Sequence, residues 1–119
     1  MKVFITGIAG FIGTNLAIKL ASDGHQVYGI DSLVSKTSNS IVLRKYNIKL
    51  IEKSISELTS VDLDDTDVVV HLAALGNVVQ SVENPVDNFN SNVLQTFHLL
   101  ECLKNSKCKK LIFSSTGGA

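Results

Sequence analysis

Val3-Phe4-Ile5-Thr6-Gly7-Ile8-Ala9-Gly10-Phe11-Ile12-Gly13-Thr14-Asn15-Leu16-Ala17 is the stretch whose reading decides the fold. Val3, Phe4 and Ile5 form a short apolar run ending in glycine, the pattern of a buried strand. Gly7, Gly10 and Gly13 follow as G-x-x-G-x-x-G, and Ile12, Leu16, Ala17, Leu20 and Ala21 then recur at helical spacing. A turn without Cβ atoms lets backbone N–H groups close on a pyrophosphate, and a helix N-terminus adds partial positive charge at the same place. Glycines alone also suit a plain strand–helix turn. Working outward, Asp23-Gly24 stops the helix, because glycine takes a left-handed cap without strain, and Gln26 to Ile30 reads as a second strand. Strand, glycines, helix and strand fall within about thirty residues, the size of a βαβ unit.

The rest of the chain extends this alternation. Asp31 to Ser40 is rich in Ser and Asn and reads as a loop; a short helix is expected around Ile41 to Tyr46 and a third strand at Lys49 to Glu52. Asp67 to Leu72 contains Val68-Val69-Val70, apolar on both faces as in a central parallel strand. Asn84 is placed to cap, and Pro85 to open, the longest helix, whose expected core face is Val86, Phe89, Val93, Phe97, Leu100 and Leu103. Leu111 to Phe113 is a fifth strand. The pattern predicts an α/β fold: a Rossmann-like parallel sheet of about five strands with helices on both faces. The fifth strand would lie at an uncovered sheet edge, so residues 1–119 are expected to be one domain, incomplete at its C-terminal end.

Composition narrows the classes. Eleven Lys plus Arg balance eleven Asp plus Glu over 119 residues, leaving no net field to attract nucleic acid or an anionic membrane. The 45% hydrophobic content is too high for disorder, and two cysteines are too few for a disulfide framework. The N-terminal apolar run is broken by Gly7 before it reaches signal-peptide length, and no apolar stretch approaches the ~20 residues of a membrane span. A cytoplasmic chain is expected.

Asp31 closes the second strand, where an acid can accept hydrogen bonds from the adenosine ribose hydroxyls and repel the 2′-phosphate of NADP. A surface Asp ending a strand is the alternative. Ser32 follows where an NADP enzyme would often carry Arg, which favours NAD, although Lys36 and Arg44 lie near in sequence. Asp62, Asp64, Asp65 and Asp67 lack the Gly turn of a hard-cation loop and read as a solvated turn, so no metal site is assigned. His71 reads as a buried hydrogen-bonding histidine, Cys102 and Cys108 as reduced packing residues, and His98 as a surface residue.

Taken together, the motifs resemble the extended short-chain dehydrogenase/reductase family, the NAD-dependent sugar-nucleotide epimerases and dehydratases. Thr6-Gly7-Ile8-Ala9-Gly10-Phe11-Ile12-Gly13 resembles its TGxxGFIG signature, and His71-Leu72-Ala73-Ala74 its HLAA. Val78, Ser81, Pro85, Asn92-Val93 and Thr96 fit VxxSxxxP…NVxGT, and Leu111 to Thr116 looks like the fifth strand with the Ser/Thr end of the active site. The resemblance covers the whole chain, which corresponds to a truncated, N-terminal portion of the family fold.

By that resemblance, Gly7, Gly10 and Gly13, with Phe11 and Ile12 through their backbone, lie beside the pyrophosphate of NAD. Asp31, Ser32 and Leu33 surround the adenosine ribose; Ser54 and Ile55 stand where the family places an Asp–hydrophobe pair against adenine. Leu72, Ala73, Ala74 and Gly76 flank the central part of the cofactor, Ser91 and Asn92 line the nicotinamide side, and Ser114 reaches the nicotinamide. Thr116 is the one catalytic residue implied, hydrogen-bonding the reacting hydroxyl; an ordinary strand-end hydroxyl is its alternative, with Ser115 the fallback. Two departures stand out. Ser54 replaces the usual Asp, and Gln95 replaces the Gly of NVxGT, where it is expected to crowd a helix contact.

The family's chemistry, by the same resemblance, needs a Tyr-x-x-x-Lys pair, in which a phenol tuned by an ammonium deprotonates a sugar hydroxyl before hydride passes to bound NAD. Tyr28 and Tyr46 are the only tyrosines, and Ser32 and Leu50 stand four residues on. The implied function is the NAD-binding portion of a nucleotide-sugar epimerase or dehydratase, inactive by itself, with a nucleotide sugar as the substrate of the longer protein. A non-catalytic dinucleotide sensor and a reductase of a non-sugar ketone are the alternatives. The Val86–Leu103 stripe is either core or a homodimer contact.

Overall fold

The computed structural model describes residues 1–33, 39–74 and 78–115, with backbone only at 78–80. Its elements run β1 (Lys2–Thr6), α1 (Phe11–Ser22), β2 (Gln26–Asp31), α2 (Asn39–Lys45), β3 (Lys49–Glu52), β4 (Val68–His71), α3 (Val78–Glu83), α4 (Pro85–Phe89), α5 (Gln95–Lys104) and β5 (Leu111–Phe113). Short 3-10 turns at Ile55–Glu57 and Ser60–Leu63 join β3 to β4. All five strands pair in parallel, in the order β3-β2-β1-β4-β5.

Period-two alternation along the strands builds two cores, one on each face. Val3, Ile5, Val27, Val68 and Val70 point to the face covered by α1 and α2, where Ala17, Leu43 and Ile48 complete the cluster. Phe4, Tyr28, Ile30 and Val69 point to the other face and meet Leu99, Cys102 and Leu103 of α5 with Ile55, Leu58 and Leu63 of the 3-10 turns. The Phe4 and Tyr28 rings meet edge-on at 4.8 Å, and the Tyr28 hydroxyl donates to the Asp62 carbonyl at 2.7 Å and also contacts Thr66. Burial raises the Tyr28 pKa, against the opposing effect of the Thr66 contact. This phenol is structural.

Helix α1 ends as expected. Gly24, at φ +92°, follows the cap residue Asp23, and Gly24 N and His25 N donate to Ala21 O and Leu20 O. The acidic run between β3 and β4 serves as caps: Asp62 accepts from Thr59 N at 2.9 Å and Asp67 from Lys2 N at 2.7 Å.

The helical stripes differ from expectation. Ile12 is exposed, because α1 docks through Gly13, Thr14 and Ala17. Asn84 makes no side-chain cap, and the helix it precedes has a π turn at Asn90–Leu94 between α4 and α5. On α5 the sheet-facing side is Leu99, Cys102 and Leu103; the remaining members of the expected core face, Val86, Phe89, Val93, Phe97 and Leu100, are 44–69% exposed. A seam that hydrogen-bonds to the 54–58 turn seats the helix and turns the apolar stripe outward. Edge strand β5 likewise exposes Ile112 and Phe113.

Two glycines separate backbone strain from steric exclusion. A Cβ on Gly29 would lie 2.2 Å from Ile5 O and 2.8 Å from the Ile8 side chain, whereas one on Gly24 would meet nothing. Gly24→Ala is expected to lower the unfolding free energy by about 1 kcal/mol through its positive φ. Gly29→Ala is expected to cost about 3 kcal/mol or more by overpacking. Urea denaturation of the two variants, side by side, checks the order.

Candidate dinucleotide site

The site lies where β1 and β4 end side by side, with β2 and β3 to one side and β5 to the other. In this strand order β1 and β4 flank the point at which successive connections run off in opposite directions, the place where open parallel sheets bind ligands. Thr6 pairs with His71 across that junction. The Thr6 hydroxyl accepts from Leu72 N at 3.0 Å and Ala73 N at 3.1 Å, which occupies both lone pairs. Its proton therefore goes to His71 Nδ1, 2.6 Å away. That makes Nε2 the protonated ring nitrogen, donating to Thr96 Oγ1 at 2.8 Å, and Thr96 in turn donates to Asn92 O at 2.9 Å. One relay ties the ends of β1 and β4 to the π turn carrying Ser91 and Asn92. His71 is the buried hydrogen-bonding residue its sequence position indicated.

The glycine loop is held from below. Gly7, at φ +70°, passes so close under the β4 loop that a Cβ would lie 2.9 Å from Ala73 N. Gly13 is excluded from carrying a side chain by Gly7 O at 2.3 Å and Ile8 Cα at 2.8 Å, so it seats α1 on the loop. Gly10 differs: a Cβ there would meet only Gly7 O, at 3.3 Å. Gly10 is the N-cap of α1 and offers no side-chain cap, there is no acid in the first turn, and the first helical bond is Thr14 N to Gly10 O. The N–H groups of Phe11, Ile12 and Gly13 precede that bond and have no acceptor among the described residues. Their donor set and the bare Gly10 fit the pyrophosphate of a dinucleotide.

Asp31 acts on the loop as well as beside it. Its Oδ2 accepts from Ala9 N at 3.0 Å and its Oδ1 from Leu33 N at 2.8 Å, which holds Leu33 at φ +59°. Each oxygen keeps a further lone pair for a ribose hydroxyl. Asn39, at the start of α2, donates to Ala9 O at 2.9 Å, so both polar groups of the Ala9 peptide are engaged. Asn39 escaped the sequence reading because it lay in a stretch taken as loop; an Asn just ahead of an apolar helical run was its only signal.

The other expected residues distribute around this centre. Phe11 and Ile12 expose their side chains beside the loop, and Ser32 is exposed next to Asp31. Leu33 packs partly against the α1–α2 core, with Leu72 beside it, while Ala73 packs against the other core and Ala74 is exposed. Ile55 is buried in the α5 core, so only its backbone is available to a ligand. Ser91 and Asn92 are half-buried on the π turn; Ser114 is exposed and donates its N–H to His71 O at 3.3 Å. Gly76 and Thr116 lie outside the described residues, as does Lys36.

Several expectations change. Gln95 does not crowd a contact: it is half-buried, and its Nε2 donates to Ser54 Oγ at 3.2 Å. A long amide on the face of α5 that overlies the 54–58 turn bridges the gap instead of filling it. His98 is not a plain surface residue; its Nε2 lies 2.8 Å from Leu58 O, which also accepts from Cys102 Sγ at 3.3 Å. Burial, with Asp62 and Glu101 nearby, pushes the Cys102 thiol above its ordinary pKa, consistent with a reduced packing residue. Among the described residues no helix is long and apolar enough to cross a membrane.

Both the sequence and the fold are similar to those of known proteins. The sequence model of the NAD dependent epimerase/dehydratase family matches residues 3–119. A putative UDP-glucose 4-epimerase of Methanocaldococcus jannaschii is 36% identical over 98% of this chain, and the chain spans 38% of that protein's length. Protein CapI of Staphylococcus aureus is 37% identical, with the same coverages. Among solved structures, a UDP-glucose-4-epimerase from Stenotrophomonas maltophila with bound NAD and formylated UDP-arabinopyranose superposes with a TM-score of 0.89 at 28% identity, over 99% of this chain and 38% of that one. The NAD-dependent NDP-hexosamine 5,6-dehydratase TunA, involved in tunicamycin biosynthesis, gives 0.88 at 34% identity, covering 97% and 37%.

The His71 relay has a pH signature. Burial lowers the His71 pKa from its ordinary 6.5, and a proton on Nδ1 would face a Thr6 hydroxyl with no lone pair left. Below pH 6.5 the unfolded chain takes up this proton before the folded chain does, so stability is full above 6.5 and falls as pH drops from there towards the lowered value. Urea midpoints at pH 7.5 and 5.5 are expected to fall more for the natural chain than for His71→Gln. An equal fall in both would contradict the assigned relay.

Proposed function

This chain belongs to the NAD dependent epimerase/dehydratase family, and from that premise we propose that residues 1–119 are the NAD-holding unit of a nucleotide-sugar epimerase or dehydratase. The observation that carries the proposal is the α1 N-terminus: three N–H groups ahead of the first helical bond, a Gly10 open to close approach, and a loop held by Asp31 and Asn39. Such a loop is organised before a ligand arrives, so little ordering cost falls on binding.

In this reading the backbone of Gly10 to Gly13 takes the pyrophosphate, and Asp31, with Ser32 and Leu33 beside it, takes the adenosine ribose. Leu72, Ala73 and Ala74 border the middle of the cofactor; Ser91, Asn92 and Ser114 stand at the β4–β5 side, towards the nicotinamide. NAD fits better than NADP because a fixed carboxylate at the end of β2 repels a 2′-phosphate. When bound, NAD supplies a reversible hydride acceptor. This chain's own residues bind it and set its orientation. Neither tyrosine is followed by Lys at the fourth position, and Tyr28 is committed to Asp62 and Thr66, so these 119 residues are proposed to bind without turnover. The chain spans about 38% of its relatives' length, and the sugar-nucleotide substrate is assigned to the whole protein.

Two sets of variants test this. Gly10→Ala is expected to melt within about 2 °C of the natural chain yet weaken NAD binding at least tenfold, since its Cβ enters the ligand's space, whereas Gly13→Ala is expected to lower the melting temperature by about 5 °C or more. Calorimetry is expected to show NAD bound at least tenfold tighter than NADP, with Asp31→Ala weakening NAD and collapsing that preference. Tighter NADP binding by the natural chain would overturn the role of Asp31.

A further inference from the structure

The two residues that depart from the family pattern, Ser54 and Gln95, touch each other. Ser54 lies two residues beyond Glu52, the strand neighbour of Asp31, and so stands at the ribose end of the sheet's C-terminal edge. Its Oγ has three hydrogen-bonding neighbours, Ser56 N at 3.3 Å, Ser56 Oγ at 2.9 Å and Gln95 Nε2 at 3.2 Å. Gln95 is held over it because the same face of α5 is fastened one and two turns on, through His98 and Cys102 to Leu58 O. A dinucleotide with its pyrophosphate at β1 and its ribose at the end of β2 carries its purine towards the next strand, β3. Ser54 and Gln95 meet on that side, with Ser56 beside them.

A carboxylate at position 54 would only accept, and so would select a purine with an amino group at C6. Ser54 does not do this: Ser56 N, Ser56 Oγ and Gln95 Nε2 together saturate its hydroxyl in the observed orientation. Gln95 Oε1 has no protein partner among the described residues, so in the observed orientation the amide presents an acceptor. A half-turn of that amide lets Ser54 donate to Oε1 and presents Nε2 as a donor in its place. The pair can thus answer either an amino or an oxo group at C6.

Resting on the NAD reading above, we propose that the Ser54–Gln95 pair makes the purine site indifferent to the C6 substituent, so that this chain accepts a hypoxanthine dinucleotide as well as an adenine one. Sites that fix one hydrogen-bonding role reject the opposite partner, because a buried group is left unpaired. A site whose groups exchange roles does not.

Calorimetric titration of the 119-residue chain with NAD and with nicotinamide hypoxanthine dinucleotide tests this. The two dissociation constants are expected to agree within about fivefold, and Ser54→Asp, which keeps the N-cap, is expected to tip the ratio at least tenfold towards NAD. Gln95→Ala, on a half-buried position, is expected to weaken both ligands by a similar factor; far-UV melting shows that each variant is folded. A preference of the natural chain for NAD beyond fivefold, or a ratio unmoved by Ser54→Asp, overturns the inference while leaving the NAD reading intact. Binding of neither dinucleotide at millimolar concentration overturns both.

Discussion

The Thr6 hydroxyl is the point on which the rest of the site depends. Three hydrogen bonds converge on it, two from the backbone of the loop after β4 and one to His71. Because it is saturated as an acceptor, it dictates the His71 tautomer, and the tautomer dictates that Thr96 accepts from His71 and donates its own O–H to Asn92 O. Among the described residues every buried side-chain polar atom has a partner, which rigidifies the junction between β1, β4 and the π turn. The Gly7 turn, pressed under Ala73, exists only because that junction brings the two loops so close.

From this junction the candidate site spreads along the sheet edge. Towards β2, Asp31 and Asn39 clamp the Ala9 peptide and so aim the α1 N-terminus. Towards β3, the 54–58 turn and α5 are sewn together by Gln95, His98 and Cys102, residues at helical spacing on one face. That seam also explains the orientation of the helix. Its apolar stripe from Val86 to Leu100 faces outward because the hydrogen-bonding face is the one that meets the turn and the sheet.

Much of this was legible without coordinates. The glycine spacing, the β-branched Val68-Val69-Val70 run and the Leu111–Phe113 strand located the sheet, since strands buried on both faces leave continuous apolar signals. His71 and both cysteines were read correctly as buried. The burial of α5 was not legible, because periodicity reveals which residues share a face but not which face meets the sheet. Asn39 and the Ser54–Gln95 pair were hidden for a related reason: their partners lie 30 and 41 residues away in the chain.

The amino-acid sequence by itself determined the βαβ frame and the family, because strand patterning and a Cβ-free turn are local properties of the chain. Tertiary structure alone decided which glycine stands open and which seats a helix, since Gly10 and Gly13 differ in what a Cβ would strike. It also decided that Asp31 organises the loop, and that Gln95 answers Ser54. Those outcomes rest on distances between segments remote in sequence, and such distances arise only when both faces of the sheet are packed.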